Sequence, residues 1–250
     1  MSWKVIKKLK EKPKNSVLIV GLPGIGNVGK ICVDFMIDAL KAKKMFDFFS
    51  NSFPNSVFVN EKNLIELPLI SLYYKKRQNK KDILLLTGDI QPPDEKSCYD
   101  FCGIINHLAK DLDIKQIVTL GGIGLKEEPT EPKLFATGNN LKLISSFCKT
   151  HKVSKDVYGT VGPIIGVSGV LPAVTKIPSL IFLAETFGHP FYVGLAGSKS
   201  LLEVLNTEFK INIKISKLMK EIKSIEEASL EKTKKLKNVA DNKATDNYIG

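Results

Sequence analysis

Ser16-Val17-Leu18-Ile19-Val20-Gly21-Leu22-Pro23-Gly24-Ile25-Gly26-Asn27-Val28-Gly29-Lys30 carries the chain from an apolar β-type run, through glycines, into an amphipathic segment. A buried strand that breaks at glycines and continues as a helix is how a parallel α/β sheet begins. Gly24, Gly26 and Gly29 have the GxGxxG spacing that lets a backbone approach a pyrophosphate, and Gly24 to Lys30 also spells most of a P-loop. Two departures count against a nucleotide. Ile31 follows Lys30 where a P-loop needs a Ser or Thr hydroxyl for the magnesium ion. Asp47 lies inside the run Met45-Phe46-Asp47-Phe48-Phe49, whereas a ribose-binding carboxylate belongs at the end of the next strand. The expectation is a tight strand-to-helix turn without a ligand. A nucleotide- or nucleoside-binding enzyme using Gly24–Lys30 is the alternative.

Outward from this stretch, strand, glycine turn and helix recur. A short edge strand is expected at 4–7, and a helix from Asn27 to Lys41 with Val28, Ile31, Phe35 and Leu40 at helical spacing. Aromatic and β-branched runs at 45–50, 56–60 and 67–74, separated by Pro54, Asn55, Asn60 and Asn63, read as short strands with hairpin-like turns. Strands are then expected at 83–86, 116–120, 133–137 and 179–184, with turns at 87–93, Gly121-Gly122 and 185–190. Helices follow at 97–112, at 140–150 capped by Asn139 or Asn140, near 168–176, and at 198–209. The fold class this gives is α/β, a three-layer sandwich around a mostly parallel sheet that is mixed where the hairpins enter. That domain takes residues 1–212. Ile215, Leu218, Ile222 and Ile225 then keep an alternating spacing of three and four, so 213–240 is read as a C-terminal amphipathic helix and the polar 241–250 as a flexible tail.

A 250-residue chain that is 43% hydrophobic can bury a sizeable core. It has no run of 18 apolar residues, so no membrane span is expected, and a cytoplasmic location follows. Cys32, Cys98, Cys102 and Cys148 show no CxxC spacing and are expected as reduced thiols. The net charge of +11 invites a nucleic-acid partner, but among the 37 basic residues only Arg77 is arginine. Specific base and phosphate recognition leans on the guanidinium fork, so no specific nucleic-acid binding is expected.

Catalysis needs a base, a nucleophile or a metal set within reach of one another. His107, His151 and His189 form no HxxxH or HExxH pattern and there is no GxSxG elbow, so neither catalytic residues, nor a metal, nor a cofactor is expected. Asp89, Gln91 and Glu185 each follow an expected strand, and ligands of open α/β sheets gather at the carboxyl ends of strands. They are therefore candidates to converge beside the Gly24 loop, with Lys30. The competing reading is that Asp89 closes a turn and Glu185 ties down 186–188.

Gly21–Lys30, Gly88-Asp89-Ile90-Gln91-Pro92, Leu120-Gly121-Gly122, Gly166–Val170 and Glu185-Thr186-Phe187-Gly188 resemble, in order and spacing, the signatures of the proteasome assembly chaperone family in its single-chain archaeal form. The resemblance covers about residues 16–205. It implies a non-enzymatic, ATP-independent homo-oligomer with a fold like that of purine nucleoside phosphorylases, which binds proteasome α subunits as an assembly chaperone or core-particle activator. Members that dock on the α ring carry a C-terminal hydrophobic residue, then tyrosine, then any residue. Tyr248-Ile249-Gly250 departs from that order, because Ile249 stands where the tyrosine belongs. These three residues are the expected partner contact.

Overall fold

The computed structural model describes residues 3–189 and 192–215. The chain separates into two units, Met1–Ile213 and Lys214–Gly250, and the strands and helices named next belong to the first. The expected helix at 213–240 and tail at 241–250 lie outside the described residues from 216 onward, and so do Tyr248, Ile249 and Gly250.

In chain order the elements are β1 (Trp3–Lys7), β2 (Ser16–Val20), α1 (Val28–Leu40), β3 (Lys43–Ser50), β4 (Phe58–Val59), β5 (Ile65–Glu66), β6 (Ile70–Lys75), β7 (Ile83–Gly88), α2 (Glu95–Asp111), β8 (Ile114–Leu125), β9 (Leu134–Gly138), α3 (Leu141–His151), α4 (Val167–Val174), β10 (Ser179–Phe187) and α5 (Leu195–Glu208). Eight strands form one sheet in the order β1-β3-β6-β7-β2-β8-β10-β9, and β4 pairs only with β5. The middle of the sheet, β7-β2-β8-β10, is parallel. Antiparallel strands extend it on both sides, β6, β3 and β1 on one and β9 on the other.

Alternation along each strand sends successive side chains to opposite faces. On β2 and β7, Leu18, Val20, Leu84 and Leu86 pack with Phe101, Cys102 and Ile105 of α2 and Val167 and Leu171 of α4. The alternate residues Val17, Ile19, Ile83 and Leu85 are equally buried on the other face, where α1 packs against α5 and the central strands. Helices thus cover both faces, and every residue of β2 is buried. The expected run of β-type residues at 16–20 is therefore a strand enclosed on both sides.

Two strands run furthest beyond the expected bounds. β8 runs on through Gly121-Gly122 to Leu125, and β10 through Glu185 to Phe187, because the two stay paired in parallel register to Phe187↔Leu125. The Gly121-Gly122 turn is thus corrected to strand. The reason for glycine there is steric: a Cβ on Gly122 would lie 2.4 Å from the Ile25 carbonyl oxygen, so the Gly24 loop presses directly on the sheet. Asn140 is the α3 cap, its side chain accepting the Leu143 N–H at 2.9 Å. Asn139 instead donates to the Pro172, Thr175 and Ile177 carbonyls and fastens α4 to β10.

At the amino end of the parallel strands, Asp82 is buried and accepts from the Lys14 N–H, the Arg77 N–H and the Tyr74 hydroxyl at 3.0, 2.8 and 2.9 Å. Arg77 donates through Nε to the Lys81 carbonyl and through Nη1 to the Phe209 carbonyl at the end of α5. All four cysteines are buried and unpaired. Burial pushes the Cys32 and Cys102 thiols far above the ordinary thiol range.

Candidate functional site

The Gly24 loop sits at the carboxyl end of β2 and makes one wall of a cavity of about 420 Å³. Leu22, Pro23, Gly24 and Ile25 form that wall, Leu120 to Gly124 of β8 the floor, and Thr160 to Ile165 the opposite side. The three glycines of the motif differ in what holds them. Gly26 has φ +60°, a left-handed conformation that side chains other than glycine rarely take. A Cβ on Gly29 would lie 2.7 Å from the Leu120 carbonyl oxygen, so glycine is what lets α1 start close against β8. Gly24 has open space around it.

Gln91 joins this site: its amide donates to the Pro23 carbonyl at 2.9 Å and lines the cavity. Ser168 closes the far side by donating to the Leu120 carbonyl at 3.1 Å. The remaining candidates go elsewhere. Lys30 turns away to pair with Asp34 at 2.7 Å, and Asp34 accepts the Thr87 hydroxyl at 2.6 Å. Asp89 accepts the Leu69 N–H at 3.0 Å and so ties the end of β7 to the start of β6. Lys30 and Asp89 line a second, separate hollow of about 1,080 Å³ beside β6. Glu185 accepts the Lys133 N–H at 3.0 Å and holds the chain entering β9. The convergence expected of Asp89, Gln91 and Glu185 is thus met by Gln91 alone.

Chemically the cavity is neutral. It is lined by backbone, aliphatic side chains, Gln91, Thr160 and Ser168, with no lysine, arginine, aspartate or glutamate. A polyphosphate needs cationic or metal-bound partners at such a loop, and the only motif lysine is engaged outside it. Asp47 is no ribose ligand either. It lies on β3, separated from β2 by β6 and β7, and is a buried carboxylate held by the Ser71 hydroxyl at 2.6 Å with Lys44 at 3.2 Å. Among the described residues no group of three or more His, Cys, Asp or Glu is placed to hold a metal ion.

The part of this site that sequence reasoning missed is the Thr160–Ile165 wall. Its partner across the cavity, Leu22 to Ile25, is far away in sequence.

The chain resembles solved structures along nearly its whole length. Pyrococcus furiosus PbaB, described as an archaeal proteasome activator, superimposes with a TM-score of 0.83 at 25% identity, covering 93% of this chain and 99% of that one. Pyrococcus furiosus PbaA, described as an archaeal homolog of proteasome-assembly chaperone, shares the fold with a TM-score of 0.75 at 22% identity, covering 98% and 96%. A protein of Methanocaldococcus jannaschii is 28% identical over 228 residues, 90% of this chain and 85% of the relative. The resemblance drawn from the ordered motifs is therefore met by the structures of a proteasome activator and of a homolog of proteasome-assembly chaperone. A family model matches residues 18–232, from the strand that opens the Gly24 loop to well beyond α5, and the chain belongs to the PAC2 family.

Proposed function

We propose that this chain is a non-enzymatic, ATP-independent protein that binds proteasome α subunits or the core particle, as an assembly chaperone or activator. The observation that carries the reading is the near full-length likeness to PbaB. The neutral Gly24 cavity supports it, since a nucleotide-using enzyme would need charge there. The reading includes homo-oligomers, a cytoplasmic location, a scaffold like that of purine nucleoside phosphorylases, and a contact made partly by Tyr248, Ile249 and Gly250. No helix among the described residues is long and apolar enough to cross a membrane.

Native mass spectrometry of the purified full-length chain mixed with proteasome α subunits, with and without residues 247–250, tests it. A complex with the full chain that weakens on truncation is the expected outcome. No complex with either form overturns the proposal.

A further inference from the structure

The two ends of the parallel strands differ in charge and in polarity. At the carboxyl end lie residues 21–27, 51–69, 89–94, 126–133 and 155–166. The pairings Ile70↔Gly88 and Ala184↔Leu134 place 51–69 and 126–133 at that end, and within 155–166 Thr160 to Ile165 line the cavity beside Gly24. These five segments hold eight carboxylates and four lysines. The connections at the opposite end, 8–15, 41–42, 76–82, 112–113, 139–140, 175–178 and 209–213, hold eleven Lys and Arg and three carboxylates. A chain of net charge +11 thus presents one acidic end.

That acidic end also carries the exposed apolar surface. Of thirteen large apolar residues exposed among the described ones, nine fall in those five segments. Six of them, Val57, Phe58, Val59, Leu64, Ile65 and Leu67, are on the β4–β5 hairpin, which pairs with no other strand. Ile65 is 73% exposed and Ile165, at the rim of the cavity, 84%. Contiguous exposed apolar residues on a folded protein mark an interaction site.

The charges decide what covers it. A second copy docking end to like end would set acid against acid, which costs affinity. The basic end of a second copy would match in charge, but only Leu141 and Val174 of the thirteen flank it, so the hairpin would bury its apolar side chains against lysines.

We infer that the acidic, apolar carboxyl end of the sheet, where the 57–67 hairpin lies on the connection from β3 to β6, docks a different protein whose contact surface sets apolar side chains among lysines and arginines. This rests on the function proposed above and locates its contact on the body of the chain, separate from the tail. The hairpin supplies the apolar part of the contact with Glu61 and Glu66 on it, and Glu127 and Glu131, on the connection from β8 to β9, carry the acidic surface toward the other edge of the sheet.

Binding of the full chain to proteasome α subunits is measured for wild type, Val59→Ser/Ile65→Ser, Glu127→Lys/Glu131→Lys, the opposite-end control Lys10→Glu/Lys12→Glu, and the form lacking residues 247–250. Circular dichroism checks the fold of each. The hairpin variant is expected to lose about tenfold in affinity or more. The carboxylate variant is expected to lose about tenfold at low salt and less as salt rises. The control should stay within about twofold, since rim-distant charges change little. Wild-type binding that both carboxyl-end variants retain overturns this docking end and leaves the proposed function standing. No binding by wild type overturns both. If wild type sediments as an oligomer that the hairpin variant breaks apart without loss of partner binding, the face joins copies of this chain and the inference is overturned.

Discussion

At the amino end of the parallel strands the polar groups are spent on one another: Asp82 takes three donors, Asn15 bonds Asp113, Lys81 reaches Gln116, and Arg77 grips the end of α5. At the carboxyl end Asp89, Glu66 and Asp94 also have partners, but the loops turn aliphatic side chains outward, and the hairpin at 57–67 has exposed residues along almost its entire length. Both ends belong to one sheet and are fixed by the same strands. The difference is in where the bonding capacity goes. One end closes on itself and contributes to stability, while the other leaves surface unspent and so is the end available to a partner.

The contrast can be broken at its foundation first. Gly122→Val puts side-chain atoms where the Ile25 carbonyl now sits and should lift the Gly24 loop off β8, at a cost of about 3 kcal/mol in urea unfolding. Next, at the closed end, Asp82→Ala removes the acceptor for two backbone N–H groups and a buried tyrosine hydroxyl. It should cost about 2 kcal/mol by the same measurement, since each buried donor left unpaired carries a desolvation penalty.

At the open end the expected stability effect is small. Ile65→Ser should change unfolding free energy by less than about 0.5 kcal/mol, yet lower the binding of an apolar fluorescent dye. A large loss of stability there would show the hairpin to be part of the core. The smallest effect is expected from Lys30→Ala. The Lys30–Asp34 pair lies within one helix, with side chains 28% and 39% exposed, and such pairs contribute about 0.3 kcal/mol. Millimolar phosphate or nucleotide should shift the melting temperature of neither form. A shift abolished by the substitution would restore a phosphate role to this lysine.

Much of the fold was legible because its signals are local. Val17 to Val20 and Ile83 to Leu86 are apolar runs of strand length, and the helical spacing of α1 and the Asn140 cap are contained within a few residues. The strand extensions were not legible, because Gly121-Gly122 carries the composition of a turn. Glycine stands there for a non-local reason, the approach of Ile25 from almost a hundred residues earlier in the chain. The candidate site divided in the same way. That Gly24, Gly26 and Gly29 form a tight turn was readable, and so was Gln91 among the residues at strand ends. That Lys30 would turn to Asp34, and Asp89 to Leu69, was not, since each depends on which neighbour the folded sheet supplies. Nor does composition show the charge polarity: a net charge of +11 hides an acidic end until the topology sorts the connections.

Arg77 stands alone among 37 basic residues. Its guanidinium reaches the carbonyls of Lys81 and Phe209 at 2.7 and 2.6 Å from two different nitrogens, bridging the start of β7 and the end of the last described helix. An ammonium would bring the same charge but no planar fork. In a chain that otherwise uses lysine throughout, this position calls for shape. The β6–β7 turn and the α5 terminus are thereby clasped together, and the first unit keeps its closing helix in place at the point where the chain leaves for the second.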